Sequence, residues 1–198
     1  MIIEIEGIDG VGKTTQCELL RASLEKAGWN VAIVKDLEST ELGRGIRKIL
    51  VSGEPRTIEA ELFSFLACKS QLYSQVIIPT LKSGGVVICD RGIGSFVSYF
   101  ESHGFSRSFL LDAIELGINR LRPELTLLLD VSTKIATERK SKKTEQSKFD
   151  MMGEKFFSRQ RRIFLELSQS PSWVVIDGRL PTGDIHQIIS RHVESVLS

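Results

Sequence analysis

The fold is decided near the start of the chain, where Ile2-Ile3-Glu4-Ile5-Glu6 runs into Gly7-Ile8-Asp9-Gly10-Val11-Gly12-Lys13-Thr14-Thr15. The first five residues read as a strand, and Thr14 to Ala27 reads as a helix stopped by Gly28. Between them lies a match to G-x-x-x-x-G-K-[ST], the pattern of a loop that cradles phosphates. Its glycines, Gly7, Gly10 and Gly12, let the backbone curl so that N–H groups face an anion, and the helix adds its partial positive end. Lys13 brings a point charge to the terminal phosphates, and the Thr14 hydroxyl suits Mg²⁺. Val11 and Thr15 complete the expected cradle.

Working outward, further aliphatic runs fall at Val31 to Val34, Val86 to Cys89, Leu125 to Asp130 and Trp173 to Ile176, with helix-like stretches between them. The runs at 86 and 125 are nearly unbroken, as in strands buried on both faces of a parallel sheet. Thr57 to Val76, Ser106 to Leu116, Phe156 to Leu167 and Ile185 to Leu197 carry helical spacing, and Ser132 caps a short helix. The expected class is α/β, a parallel sheet flanked by helices.

With 198 residues, 41% hydrophobic and 26% charged, one domain over residues 1–198 is expected. A balance of 26 Lys+Arg against 25 Asp+Glu argues against nucleic acid or an anionic membrane as partner. Cys17, Cys68 and Cys89 lack metal or disulfide spacing, which fits a reduced cytoplasmic setting. No apolar run approaches a membrane span, and no secretory leader is evident. The segment 137–150, with Arg139, Lys140, Lys142, Lys143 and Lys148, has little to bury and is expected to be a mobile surface loop.

A phosphate loop alone does not separate kinase from GTPase, motor or regulatory ATPase. No Asn-Lys-x-Asp guanine-reading sequence occurs. The second anchor is Asp90-Arg91, an acid and a base at the carboxyl end of a buried strand, where ligands bind in open α/β sheets. Asp90 suits Mg²⁺, directly or through water, and the Arg91 fork suits a phosphate. His103, His186 and His192 lie away from these motifs.

On these residues the chain resembles the thymidylate kinases among the nucleoside monophosphate kinases. The shared features are Gly7 to Thr15, Asp90-Arg91 with Ser95 and Tyr99, Ser39 to Gly43, and Arg122-Pro123-Glu124-Leu125-Thr126-Leu127-Leu128-Leu129-Asp130-Val131. The resemblance implies a five-stranded parallel sheet, a LID at about 137–150, a homodimer built by helix packing, and Mg-ATP as donor to dTMP. It places Asp9 at the sugar 3′-hydroxyl, Lys35, Arg47 and Arg91 on the acceptor side, and Phe65 against the base. Tyr99 falls beneath the sugar, Phe96 near the base, and Lys69 where the family usually has a base-reading arginine. Arg139 belongs to the LID and, with Lys13, Asp9 and Arg91, to the expected catalytic set.

Several positions depart from the family pattern. The Arg-Glu-Pro-Gly-Gly-Thr loop reads Lys35-Asp36-Leu37-Glu38-Ser39-Thr40, the aromatic after Asp-Arg is Gly92, and Phe96 and Phe100 replace polar residues. Two other readings therefore stay open: a kinase of this fold with another nucleotide or nucleoside-like acceptor, and a non-catalytic nucleotide-binding module.

Overall fold

The computed structural model describes residues 1–140 and 152–197. Its sheet contains β1 (Ile2–Glu6), β2 (Val31–Val34), β3 (Val86–Asp90), β4 (Leu125–Asp130) and β5 (Trp173–Asp177). The order is β2-β3-β1-β4-β5, and every pairing is parallel. The aliphatic runs thus become the five expected strands. Ile5 pairs with Asp90 on one side and Leu127 on the other, so β1, β3 and β4 end along one edge.

Helices cover both faces. Ile3 and Ile5 point into a core with Cys17, Leu20 and Leu24 of α1 (Lys13–Lys26) and Ile185, Ile189 and Val193 of α9 (Thr182–Leu197). Ile2, Val87 and Cys89 pack on the opposite face against α3 (Ile58–Leu72), α5 (Ile93–Ser102) and α6 (Arg107–Gly117). Each fully buried Ile or Leu contributes roughly 1.5–3 kcal/mol, and the two cores clamp the sheet between them. Because strand side chains alternate, Glu4 and Glu6 share the second face with Ile2 and are enclosed there.

The expected helix from Thr57 to Val76 is subdivided. α3 ends at Leu72, a π-helical turn covers Tyr73–Ile77, and α4 (Ile78–Lys82) follows. The Ile78 N–H bonds the Tyr73 carbonyl, five residues back. Pro79 cannot donate to the carbonyl four residues before it, and the wider turn just ahead absorbs that loss. Ser106, Thr57 and Ser132 cap α6, α3 and α7 (Thr133–Lys140) through their hydroxyls. α8 (Gly153–Leu167) lies over α5.

Two helices form where sequence spacing indicates none. α2 (Glu41–Val51) starts at Thr40, whose hydroxyl accepts from the Gly43 N–H at 3.0 Å. α5 has no side-chain cap of its own: the Gly92 and Ser95 N–H groups donate to Glu6, and the Ile93 N–H donates to Glu4. Its first turn is capped by carboxylates from β1.

Candidate active site

The phosphate loop forms because glycines stand where the chain turns left-handed: φ is +136° at Gly7, +90° at Gly10 and +102° at Gly12. Gly10 also leaves room for the Ala136 carbonyl of α7, which a Cβ would strike. Gly12 is the N-cap of α1 and has no side chain to offer the first-turn N–H groups, so those donors are free for an anion.

Lys13, the first residue of α1, is buried, and its Nζ donates to the Gly7 and Ile8 carbonyls, each at 2.9 Å. Its Nζ lies 3.9 Å from Asp9. Burial, and then the neighbouring Arg91 cation, lowers the Lys13 pKa to about 8. Bound phosphate would add opposite charge beside this ammonium and favour its charged form.

Thr14 and Asp90 meet at the sheet edge, where the hydroxyl donates to Oδ2 at 2.6 Å. Lys35, from the loop after β2, stands 3.3 Å from the same oxygen. Asp9 accepts from the Arg91 guanidinium, which also donates to Ser95 Oγ at 3.2 Å. Arg91 has φ +83°, a left-handed conformation that costs a side-chain-bearing residue about 1–3 kcal/mol. Its N–H bonded to the Ile5 carbonyl and its guanidinium bonded to Asp9 and Ser95 hold it there.

The structure thus brings together Asp9, Lys13, Thr14, Lys35, Asp90 and Arg91. Arg47 joins at the rim through Glu38, 3.4 Å from Arg47 and 3.9 Å from Lys35. Hard oxygen donors at Thr14 and Asp90 match Mg²⁺ chemistry. Among the described residues there is no group of three or more His, Cys, Asp or Glu that could hold a metal ion.

Other sequence-predicted residues are placed differently. Phe65 packs on Tyr99 and edge-on to Phe100, with centroids 6.1 and 5.6 Å apart. The Tyr99 hydroxyl donates to Glu61 at 2.8 Å, and Arg56 donates to the same carboxylate. Phe96 is enclosed in the core against Phe100. Lys69 is fully enclosed and donates to Asp36 at 2.8 Å. Arg139 donates to the Gly178 carbonyl at 2.8 Å, joining α7 to the turn after β5. The rest of the expected LID, from residue 141, lies outside the described residues.

Glu4, Glu6 and Asp36 are absent from the sequence-predicted set. Glu6 accepts from Gly92, Ser95 N–H and Ser95 Oγ, fixing the segment that carries Arg91. Burial, then the adjacent Glu6 carboxylate, pushes Glu4 up to about 8. The signal was the pair of acids inside a strand that leads into the phosphate loop. Such a strand is central, and its acids must find internal partners. The thiols of Cys17, Cys68 and Cys89 are all buried and pushed up by desolvation, which leaves them unsuited to nucleophilic work.

Known sequences agree with this geometry. Residues 5–189 match the family model described as thymidylate kinase. A thymidylate kinase of Kosmotoga olearia is 34% identical over 194 residues, covering 94% of this chain and 92% of that protein. A thymidylate kinase of Pelobacter propionicus is 32% identical over 206 residues, covering 98% and 93%. A probable thymidylate kinase of Pyrococcus abyssi is 35% identical over 175 residues, covering 84% and 82%. With the phosphate loop, the Asp90-Arg91 edge and the parallel sheet all in place, the chain belongs to the thymidylate kinase family.

Proposed function

We propose that the protein transfers the γ-phosphoryl group of ATP to dTMP, giving ADP and dTDP. The observation that carries this reading is the cluster at the sheet edge, where Lys13 and Arg91 gather about Asp9 while Thr14 and Lys35 meet at Asp90. It offers several cations to phosphates. An acceptor oxygen forms a bond to Pγ while the bond from Pγ to the β,γ-bridging oxygen breaks, its electron pair leaving with ADP. The acceptor phosphate is already anionic, so no general base is required, and positioning with charge neutralisation suffices.

In this scheme Lys13 binds the β and γ phosphates and Arg91 holds the acceptor phosphate in line, with Arg47 at the rim. Asp9, oriented by Arg91, receives the sugar hydroxyl, and the Phe65 ring, braced by Tyr99, faces the base. Arg139 carries α7 toward the donor side. Thr14 and Asp90 would hold Mg²⁺, which when bound neutralises charge shared between the donor phosphates.

A second reading, a different nucleoside monophosphate as acceptor, is favoured by one observation: Lys69 is engaged with Asp36, and Phe96 is enclosed. ADP release measured against a panel of ribo- and deoxynucleoside monophosphates separates the two. dTMP leading the panel supports the first; another acceptor leading replaces it; none working removes both.

The working form is a cytoplasmic homodimer, in keeping with reduced, buried cysteines and with no described helix long and apolar enough to cross a membrane. Leu42 and Ile49 of α2, Phe63 of α3, and Phe109 and Leu116 of α6 are exposed on adjoining helices, a surface that a second copy would cover. Phe63→Lys is expected to shift sedimentation from dimer to monomer; an unchanged dimer would place the interface elsewhere.

A further inference from the structure

Lys69 is 2% exposed, and a buried ammonium persists only where carboxylates answer it. Asp36 does so directly: it accepts from Nζ at 2.8 Å and is 12% exposed at its side chain. Glu4, 1% exposed, acts on Lys69 electrostatically, and its Oε2 has no hydrogen-bond partner. Burial opposes the Lys69 charge, but Asp36 and Glu4 together outweigh it and hold its pKa above the ordinary value. Space for the Glu4 carboxyl exists because residue 92 is glycine: a Cβ there would land on it.

Asp36 is not an incidental partner. It follows Lys35, whose Nζ reaches Asp90 Oδ2, the oxygen that also receives the Thr14 hydroxyl. The loop from Lys35 to Ser39 is closed by its own bonds: the Lys35 N–H donates to Ser39 Oγ at 2.8 Å, and the Glu38 and Ser39 N–H groups donate to the Lys35 carbonyl. It contains no proline to stiffen its backbone. Its place relative to the sheet depends on what its side chains grip.

We propose that Lys69 is a positioning residue for the acceptor: by gripping Asp36 it ties the loop Lys35 to Ser39, and so Lys35 itself, to α3, instead of touching the acceptor's base. The acceptor side then has a cation whose work is to hold another cation in register. The inference rests on the kinase reading above.

The test compares wild type with Lys69→Met, Asp36→Asn and the double variant. Three readouts are used: steady-state kinetics with several deoxynucleoside monophosphates, thermal melting, and hydrogen exchange at the Lys35, Glu38 and Ser39 amides. Lys69→Met should raise KM about tenfold for every acceptor alike, leave KM for ATP unchanged, and speed exchange at the three amides. It should also melt about 10 °C lower, because it leaves the largely enclosed Asp36 carboxylate without its ammonium partner.

The double variant should recover much of that melting temperature while keeping the raised KM, since both partners are then neutral and the tether stays cut. Acceptor KM recovering together with melting temperature would reduce Lys69 to a structural role and overturn the proposal. So would a change in the ratio between bases with unaltered exchange, which would mean that Lys69 reads the base. Should wild type phosphorylate no acceptor, the kinase reading fails, and exchange at the three amides still decides the tether: unchanged rates in Lys69→Met refute it.

Discussion

Around Lys13 the site is mostly backbone, with two loop carbonyls, a helix N-terminus and three left-handed glycines shaping a cradle from atoms every residue carries. Around Lys69 nearly everything is side chain answering side chain: Lys69 with Asp36, Tyr99 with Glu61, Arg47 with Glu38, Ser95 with Glu6. The half proposed for the donor is thus local, lying within one turn between β1 and α1. The half proposed for the acceptor is assembled from residues far apart along the chain, 33 positions in the case of Lys69 and Asp36 and 89 for Ser95 and Glu6. The backbone of such a cradle keeps its shape as long as its glycines stay, whereas a side-chain lattice changes identity when one member does.

Four substitutions sharpen or break this contrast. The largest effect is expected on the donor side, where Lys13→Ala should lower kcat at least ~100-fold, the scale of losing one charge aimed at a transferring group. Stopped-flow or coupled assays on a protein shown to be folded would check this, and near-wild-type turnover would remove Lys13 from its role. On the acceptor side, Gly92→Ala should cost about 1–3 kcal/mol because its Cβ meets the Glu4 carboxyl. Denaturant unfolding should show that loss shrinking in Glu4→Ala/Gly92→Ala; an equal loss in both backgrounds would mean that the glycine serves some other need.

A pH-dependent effect is expected for Glu4→Gln. Glu4 is faced by Glu6 on β1, Lys69 on α3, Asp36 on the loop after β2, and the Ile93 N–H on α5, with Cys89 and Tyr73 nearby. Its folded pKa of about 8 lies above the ordinary 4.5, so the folded state holds a proton that the unfolded chain releases between those values. The wild type therefore loses stability as pH rises from 4.5 to 8, and the glutamine variant does not. Thermal melts should show a difference in favour of Glu4→Gln that grows across that window and is flat above it. The smallest effect belongs to Tyr99→Phe, which keeps the ring on Phe65 and removes one hydrogen bond to Glu61, for about 1 kcal/mol of stability. Discrimination between ribo- and deoxyribonucleotides should be unchanged, as the hydroxyl is already spent on Glu61.

Sequence and structure agree most where chemistry is local. β3 and β4 are the most legible strands because strands packed on both faces admit little except aliphatic residues, and the phosphate loop is legible because its backbone requires glycine at fixed places. α5 was hidden because its cap lies on β1 and not in the residues before it. Lys69 sits on α3 as any helical lysine might, and only the arrival of Asp36 and Glu4 turns it inward. The alternation Ile-Glu-Ile-Glu of β1 has the look of a strand with one wet face, yet both acids are enclosed because α5 docks on that face.

The fit between Glu4 and Gly92 also couples substitutions on separate elements. A side chain introduced at residue 92 meets the Glu4 carboxyl, so that carboxyl has to move aside or be replaced. Either change also alters what faces Lys69 on α3, since Glu4 acts on it electrostatically. Residues 4, 69 and 92 therefore form one linked set, and a substitution at any of them is expected to change what the other two tolerate.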